Sequence, residues 1–215
     1  MNNKNFPDAV IFDMDGTLWD SADAVARSWT ATVSRFKSCE RVFTADDIHA
    51  VMGMTMDAIS KLLFGHLKES ERIAVTEACF SEECDYVAKQ GGKLYENLEM
   101  TLKTLCKVTK LYIVSNCQDG YIEAFFAYHG LNEYFCDYED YGRTLLPKDG
   151  SLKILIERNG IKNPVYVGDT LGDYEACKKA NVDFIHAAYG FGKVDNVPKI
   201  TSIAELPSLL NEIYG

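Results

Sequence analysis

Two carboxylates, Asp13 and Asp15, stand two positions apart where an apolar run ends in "VIFDMDGTLWD" (10–20), and a glycine follows them. Further along come Ser115 and Asn116, then Lys148, then Asp169 and Asp173 within "GDTLGD" (168–173). Four carboxylates gathered at one place repel one another in a low dielectric unless a positive charge neutralises them. Oxygen ligands with no Cys or His among them favour a hard cation, and magnesium is the usual one. Lys148 adds a fixed charge suited to a phosphate oxygen, and Ser115 and Asn116 add hydrogen-bond donors. The chemistry open to such a set is the handling of a phosphate group beside a divalent metal.

Those residues can converge only if the elements between them bring them to one edge. "AVIFD" (9–13), "KLYIVS" (110–115), "PVYVGD" (164–169) and "VDFIHAAY" (182–189) are short, β-branched or aromatic, and nearly continuously apolar. That pattern predicts strands buried on both faces of a parallel sheet. "YFCDYED" (134–140) is a weaker fifth strand. Between them, 101–108, 120–130, 151–160, 172–181 and 202–215 carry amphipathic helical spacing, and several end at Gly or Asn, as helix C-termini often do. Alternating strand and helix predicts a doubly wound α/β parallel sheet, in which ligands sit beyond the carboxyl ends of the strands. The candidate residues fall at those ends.

The stretch from Ser21 to Gln90 reads differently. Its apolar residues recur every three or four positions without strand signals, which predicts three or four helices, and "GG" at 91–92 punctuates the return to the sheet. The expected organisation is an α/β catalytic core from 1–20 and 91–215, interrupted by a helical cap at 21–90.

The chain has 215 residues, 47% hydrophobic, and a net charge of −10, enough for one domain carrying a smaller inserted one. An acidic chain without a basic stripe makes a poor partner for nucleic acid or an anionic membrane, so a small phosphorylated metabolite is the expected partner. No apolar run approaches the ~20 residues of a membrane helix. The start, "MNNKNFPDAV", lacks the basic and apolar regions of a secretory signal. Seven cysteines, an odd number with no C-x-x-C pair, read as free thiols of a reducing, cytoplasmic setting. The oligomeric state leaves no mark in the sequence.

Taken in order, "DMDGT" (13–17), "SN" (115–116), Lys148 and "GDTLGD" (168–173) resemble the haloacid dehalogenase superfamily of phosphotransferases. The resemblance spans the whole chain, because the helical insert lies where a cap domain falls in that superfamily. It implies that Asp13 is the nucleophile, forming an aspartyl-phosphate, and that Asp15 is the general acid and then the base that activates water. The family also uses the backbone carbonyl at the second acid, here Asp15, as a metal ligand. Ser115 and Asn116 would bind phosphate. Lys148 would bind phosphate and hold the nucleophile; Lys153 competes for that part, but helical spacing puts it inside the following helix. Here "PKDGS" stands where many relatives have "KPxP". Asp169 resembles the direct magnesium ligand, and Asp173 a ligand through water or an orienter of the metal's waters. The plainer reading of Asp173 is an acid favoured by a helix N-terminus. Trp19 either helps close a flap or packs beneath the cap, and Asp20 and Ser21 read as caps of the first cap helix.

Dehalogenases of the superfamily lack an acid two residues after the nucleophile, so Asp15 argues for a phosphate-ester leaving group. The cap after the first strand is the type of phosphoglycolate phosphatases and β-phosphoglucomutases. Its segment "VMGMTMDAISKLL" (51–63) is expected to face the site, with Met52, Met54 and Met56 as an adaptable wall and Thr55 within reach of substrate. Hydrolysis of a small phosphorylated metabolite stands ahead of a sugar-phosphate mutase. A receiver domain is shorter and lacks the paired acids on its first strand, and intact motifs argue against a binding protein that has lost activity.

Overall fold

The computed structural model describes residues 6–215, so the reading of the first ten residues as free of a signal falls partly outside the described residues. Among the described residues there are eight strands: β1 (Ala9–Phe12), β2 (Trp19–Asp20), β3 (Lys93–Leu94), β4 (Lys110–Ser115), β5 (Phe135–Asp140), β6 (Pro164–Gly168), β7 (Asp183–Ala187) and β8 (Lys199–Ile200). Six of them form one sheet in the order β5-β4-β1-β6-β7-β8, with every pairing parallel. From central β1 the chain moves outward through β4 and β5, then returns to the other side through β6, β7 and β8. That reversal beside β1 opens a crevice at the carboxyl ends of β1, β4 and β6.

The strands alternate their side chains between two buried faces. Val10 and Phe12 join Ile113, Val165 and Val167 in one core, while Ala9 and Ile11 join Tyr112, Val114 and Tyr166 in the other. Burial on both sides explains why these strands read as continuous apolar runs rather than alternating ones.

Among the described residues ten α-helices surround and interrupt the sheet. The insert contributes α1 (Ala22–Val33), α2 (Ala45–His49), α3 (Met56–Phe64) and α4 (Glu69–Gln90). The rest are α5 (Leu98–Leu105), α6 (Tyr121–His129), α7 (Tyr141–Thr144), α8 (Lys148–Asn159), α9 (Leu171–Ala180) and α10 (Leu206–Tyr214). The fold is thus a doubly wound parallel sheet with an inserted helical cap. Within the cap, α4 packs along α1 and leans on α6 of the core. Trp29 sits edge-on to both Phe43 and Phe80, with ring centroids 5.5 and 5.7 Å away.

Two local expectations need correction, and one short strand was not anticipated. "GG" at 91–92 does not lead back into the main sheet: β3 pairs antiparallel with β2, making a two-stranded ribbon at the root of the cap. The helix expected over 101–108 begins earlier, at Leu98, because Asn97 in a left-handed conformation (φ 65°) turns the chain into it. β8 pairs with β7 over only two residues, too few to leave a periodic signal.

Candidate active site

Each functional position lies just past a strand or at the first turn of a helix. Asp13 follows β1, and its backbone N–H still donates to Val167 O of β6 (2.9 Å). Asp169 follows β6, and Ser115 is the last residue of β4. Lys148 opens α8 directly after Pro147, a residue suited to a helix start because it has no N–H to leave unpaired. Asp173 lies in the first turn of α9. There Thr170 accepts a hydrogen bond from the Asp173 N–H, and Thr170 N and Oγ1 donate to Asp173 Oδ2 (2.9 and 2.7 Å). Thr170 thus aims the other oxygen of Asp173 at the site.

Lys148, Asp13 and Asp173 form a buried triad. The Lys148 ammonium donates to Asp13 Oδ1 (2.8 Å) and to Asp173 Oδ1 (2.5 Å), and lies 5.7 Å from the Tyr166 ring centroid. Burial alone would lower the lysine's pKa, but the charges of Asp13 and Asp173 hold it well above its usual value. Lys153 lies elsewhere, exposed on α8 and paired with Asp149 (3.2 Å).

Asp13, Asp169 and Asp173 each present an oxygen within 4.8 Å of the others, and all three are buried. Three carboxylates face one ammonium, so the cluster carries excess negative charge in a dry place. Burial, reinforced by the Asp173 charge, pushes Asp13 up to about 7 and Asp169 up to about 7. Asp169 Oδ2 accepts from the Phe191 N–H (2.8 Å), whereas its Oδ1 is buried without a hydrogen-bond partner among the described residues. A buried acceptor left bare is costly. Together with the all-oxygen donor set, it fits a hard divalent cation held by Asp13 and Asp169. Gly16 belongs to this cradle: its φ is +82°, and a Cβ there would collide with the Asp169 carboxylate.

The Asp15 side chain lies outside that cluster. Its Oδ1 accepts from Ser21 Oγ (2.7 Å) and from the Tyr121 hydroxyl (3.2 Å). Burial pushes Asp15 up to about 7, the Ser21 hydrogen bond opposing and the Asp13 charge assisting. Ser21, expected to cap α1, makes no side-chain capping bond. Its hydroxyl is spent on Asp15 and Tyr121, while Asp20 Oδ1 accepts the Ala22 N–H (3.0 Å) and pairs with His49. Trp19 is fully buried between Tyr121, Phe125 and His129, so it packs.

Asn116 faces the cap. Its Nδ2 donates to Gly53 O (2.9 Å), which ties the end of β4 to the loop before α3, and its Oδ1 is buried without a partner among the described residues. Gly53 comes close to the core (φ +79°), where a Cβ would lie 3.1 Å from Thr170 Cγ2. Ser115 Oγ accepts the Cys117 N–H (3.4 Å). Thr55 caps α3 by accepting the Ala58 N–H (3.4 Å). Asp13, Asp15, Ser115 and Asn116 open into a cavity of about 60 Å³ between core and cap, whose cap side includes Met52, Met54 and Met56.

Several supporting groups escaped the sequence reading. Tyr121 and Ser21 hold Asp15 from 106 and 6 residues away. The loop after β7 covers Asp169: Phe191 N donates to it, and a Cβ on Gly190 would run into its carboxylate. The glycines of "YGFG" (189–192), straight after a strand, were the available signal. All seven cysteines are free, and no helix among the described residues is long and apolar enough to cross a membrane.

Residues 10–187 match the family described as haloacid dehalogenase-like hydrolase. A phosphoglycolate phosphatase of Xanthomonas campestris pv. campestris is 27% identical over 200 residues, covering 90% of this chain and 88% of its own. A crystal structure of a predicted phosphatase from Clostridium acetobutylicum superposes with a TM-score of 0.79 at 21% identity, covering 97% of this chain and all (100%) of its own. One of a predicted phosphoglycolate phosphatase from Haemophilus somnus gives 0.80 at 19%, covering 95% and 98%. At those identities the structures speak for the fold alone.

Proposed function

The chain belongs to the haloacid dehalogenase-like hydrolase family, and we propose that it is a Mg²⁺-dependent phosphatase that cleaves a small phosphorylated metabolite through an aspartyl-phosphate. The observation that carries this reading is the division of labour between two acids two residues apart. Asp13 lies on Lys148 in the acidic cluster, while the Asp15 carboxyl turns away to the buried hydroxyls of Ser21 and Tyr121. Two carboxyls in different surroundings can do nucleophilic and acid–base work in one site. The curated relatives named phosphoglycolate phosphatase support the reaction class.

In this mechanism Asp13 attacks phosphorus in line and the ester oxygen departs. Asp15, holding its proton near neutrality in its buried setting, donates it to that oxygen. Asp15 then takes a proton from water, which hydrolyses the acyl phosphate and restores Asp13. Lys148 steadies Asp13 and neutralises a phosphoryl oxygen, and Ser115 offers its hydroxyl to another. Asn116 orders the cap loop through Gly53 and can add its backbone to the phosphate site. Asp13, Asp169 and the Asp15 backbone carbonyl would hold the cation, with Asp173 acting through Lys148 and through water. When bound, the cation supplies charge neutralisation for the phosphoryl oxygens. Residues 21–90 serve as the cap, and 1–20 with 91–215 as the catalytic core. Water is kept from the reaction as the cap covers the sheet edge.

The test is a phosphate-release assay over a panel of phosphate monoesters. Turnover should vanish on chelation with EDTA and return with Mg²⁺. Turnover indifferent to EDTA would remove the metal from the mechanism.

A further inference from the structure

The cavity between core and cap has a composition that bears on what leaves with the ester oxygen. Its cap side is apolar, formed by Val25, Ile48, Val51, Met52, Ile59 and Phe80. None of the residues lining it is Lys, Arg or His. The one ionisable group that the cap contributes is Glu83 of α4, 5% exposed. Trp29 Nε1 donates to Glu83 Oε2 (2.5 Å). Glu83 is therefore oriented by Trp29, on the cap side of the cavity that would receive the leaving group.

A buried carboxyl without a cation is expensive for the fold to keep. Burial pushes Glu83 up to about 8, the Trp29 hydrogen bond opposing and the Asp15 charge assisting. An incoming carboxylate would find no Lys, Arg or His among the lining residues to receive it. An ammonium would do the reverse, completing an ion pair with Glu83 and resting among the faces of Trp29, Phe80 and Tyr121. The space is small, about 60 Å³, which suits a short leaving group.

Resting on the phosphatase reading above, we propose that Glu83 is a specificity-determining residue and that the preferred substrate is the phosphate ester of a short amino alcohol, its ammonium received by Glu83. Phosphoglycolate, the substrate that the names of the curated relatives suggest, is disfavoured because its leaving group is anionic.

Three esters of similar size, differing in the terminal group, test this: phosphoethanolamine, ethylene glycol monophosphate and phosphoglycolate. Each is assayed with the full chain and Mg²⁺ at one pH, with p-nitrophenyl phosphate as an unselected control. The value of kcat/KM should fall in that order, with phosphoethanolamine about tenfold or more above phosphoglycolate. Glu83→Gln should bring the two within about threefold of each other, mainly through KM for phosphoethanolamine, while turnover of the control persists. Cleavage of the control with phosphoglycolate or the glycol ester equal to or better than phosphoethanolamine would overturn the assignment to Glu83 and leave the phosphatase reading standing. No turnover of any of the four esters would overturn the phosphatase reading, and this inference with it. The wild-type comparison decides the matter even if the variant fails to fold.

Discussion

The carboxyl edge of the sheet and the inner wall of the cap face the same cavity and are built on opposite principles. At the sheet edge charged groups are held by fixed partners: Lys148 bridges Asp13 and Asp173, Thr170 pins Asp173, and the Phe191 amide holds one oxygen of Asp169. The cap wall offers methionine and aliphatic side chains from helices and the turn before α3, with one oriented carboxyl, Glu83. Fixed dipoles and charges suit a transition state that must be met without rearrangement. Adaptable apolar surface suits a leaving group that varies between relatives. Under the proposed function, chemistry belongs to the core and choice to the cap, and substitutions on the two sides should differ in kind.

The largest effect belongs to the core. Asp13→Asn should reduce kcat by about a thousandfold or more on every ester, with cooperative thermal unfolding retained. Near-normal turnover would remove Asp13 as nucleophile. Lys148→Met should cost about 10²–10³ in kcat and also disturb stability, because Asp13 and Asp173 lose their shared cation. By contrast, trimming the cap wall with Ile59→Ala should change KM and the preference among esters by less than about tenfold. A uniform loss of kcat from that change would erase the distinction between the two sides.

A further prediction concerns charge in the acidic cluster. The pKa values of Asp13 and Asp169 are raised by folding, from 3.8 to about 7. Between those values the unfolded chain has released protons that the native chain still holds, so stability falls as pH rises from about 4 to about 7 and stays low above. The metal-free protein should therefore melt several degrees lower at pH 8 than at pH 5, since about 1 kcal/mol moves Tm by roughly 2–4 °C at this size. Mg²⁺ should restore most of the difference at pH 8 and do little at pH 5, where the acids are protonated. Equal melting temperatures at the two pH values without metal would contradict the shifts.

A smaller effect is expected at Ser21. Its hydrogen bond lowers the Asp15 pKa against burial, so Ser21→Ala should raise that pKa and carry the alkaline limb of kcat/KM to higher pH. The loss of rate should be about tenfold or less, because Tyr121 still holds the carboxyl. An unmoved pH profile would mean that Asp15 is not the titrating acid.

Much of this arrangement could be read before folding was considered. A parallel sheet buried on both faces announces its strands as apolar runs, and the polar residues that end them stand out against that background. Asp13, Ser115 and Asp169 are visible for that reason. Lys148 was distinguishable from Lys153 because one starts α8 and the other lies a turn and a half inside it. What escaped depends on long-range approach. The hydroxyls around Asp15 come from the ends of two different helices, and Ser21 looks like an ordinary cap until Tyr121 arrives beside it. Asn116 reads as a phosphate ligand, yet its side-chain amide is committed to Gly53, a contact across 63 residues. Glu83 is one acid in the acidic run "SEECD", and only the packing of Trp29 and α6 shows that it faces inward.

The central claim is that Asp13 carries the phosphoryl group between the ester and water. It is tested most directly by quenching Asp15→Asn in acid during turnover of p-nitrophenyl phosphate, whose leaving group needs little protonation, and mapping the modified peptide by mass. With the base missing from the second step, one phosphoryl group should accumulate on the peptide that contains Asp13. Continued release of nitrophenol with that peptide unmodified, or with the phosphoryl group on another residue, would contradict it.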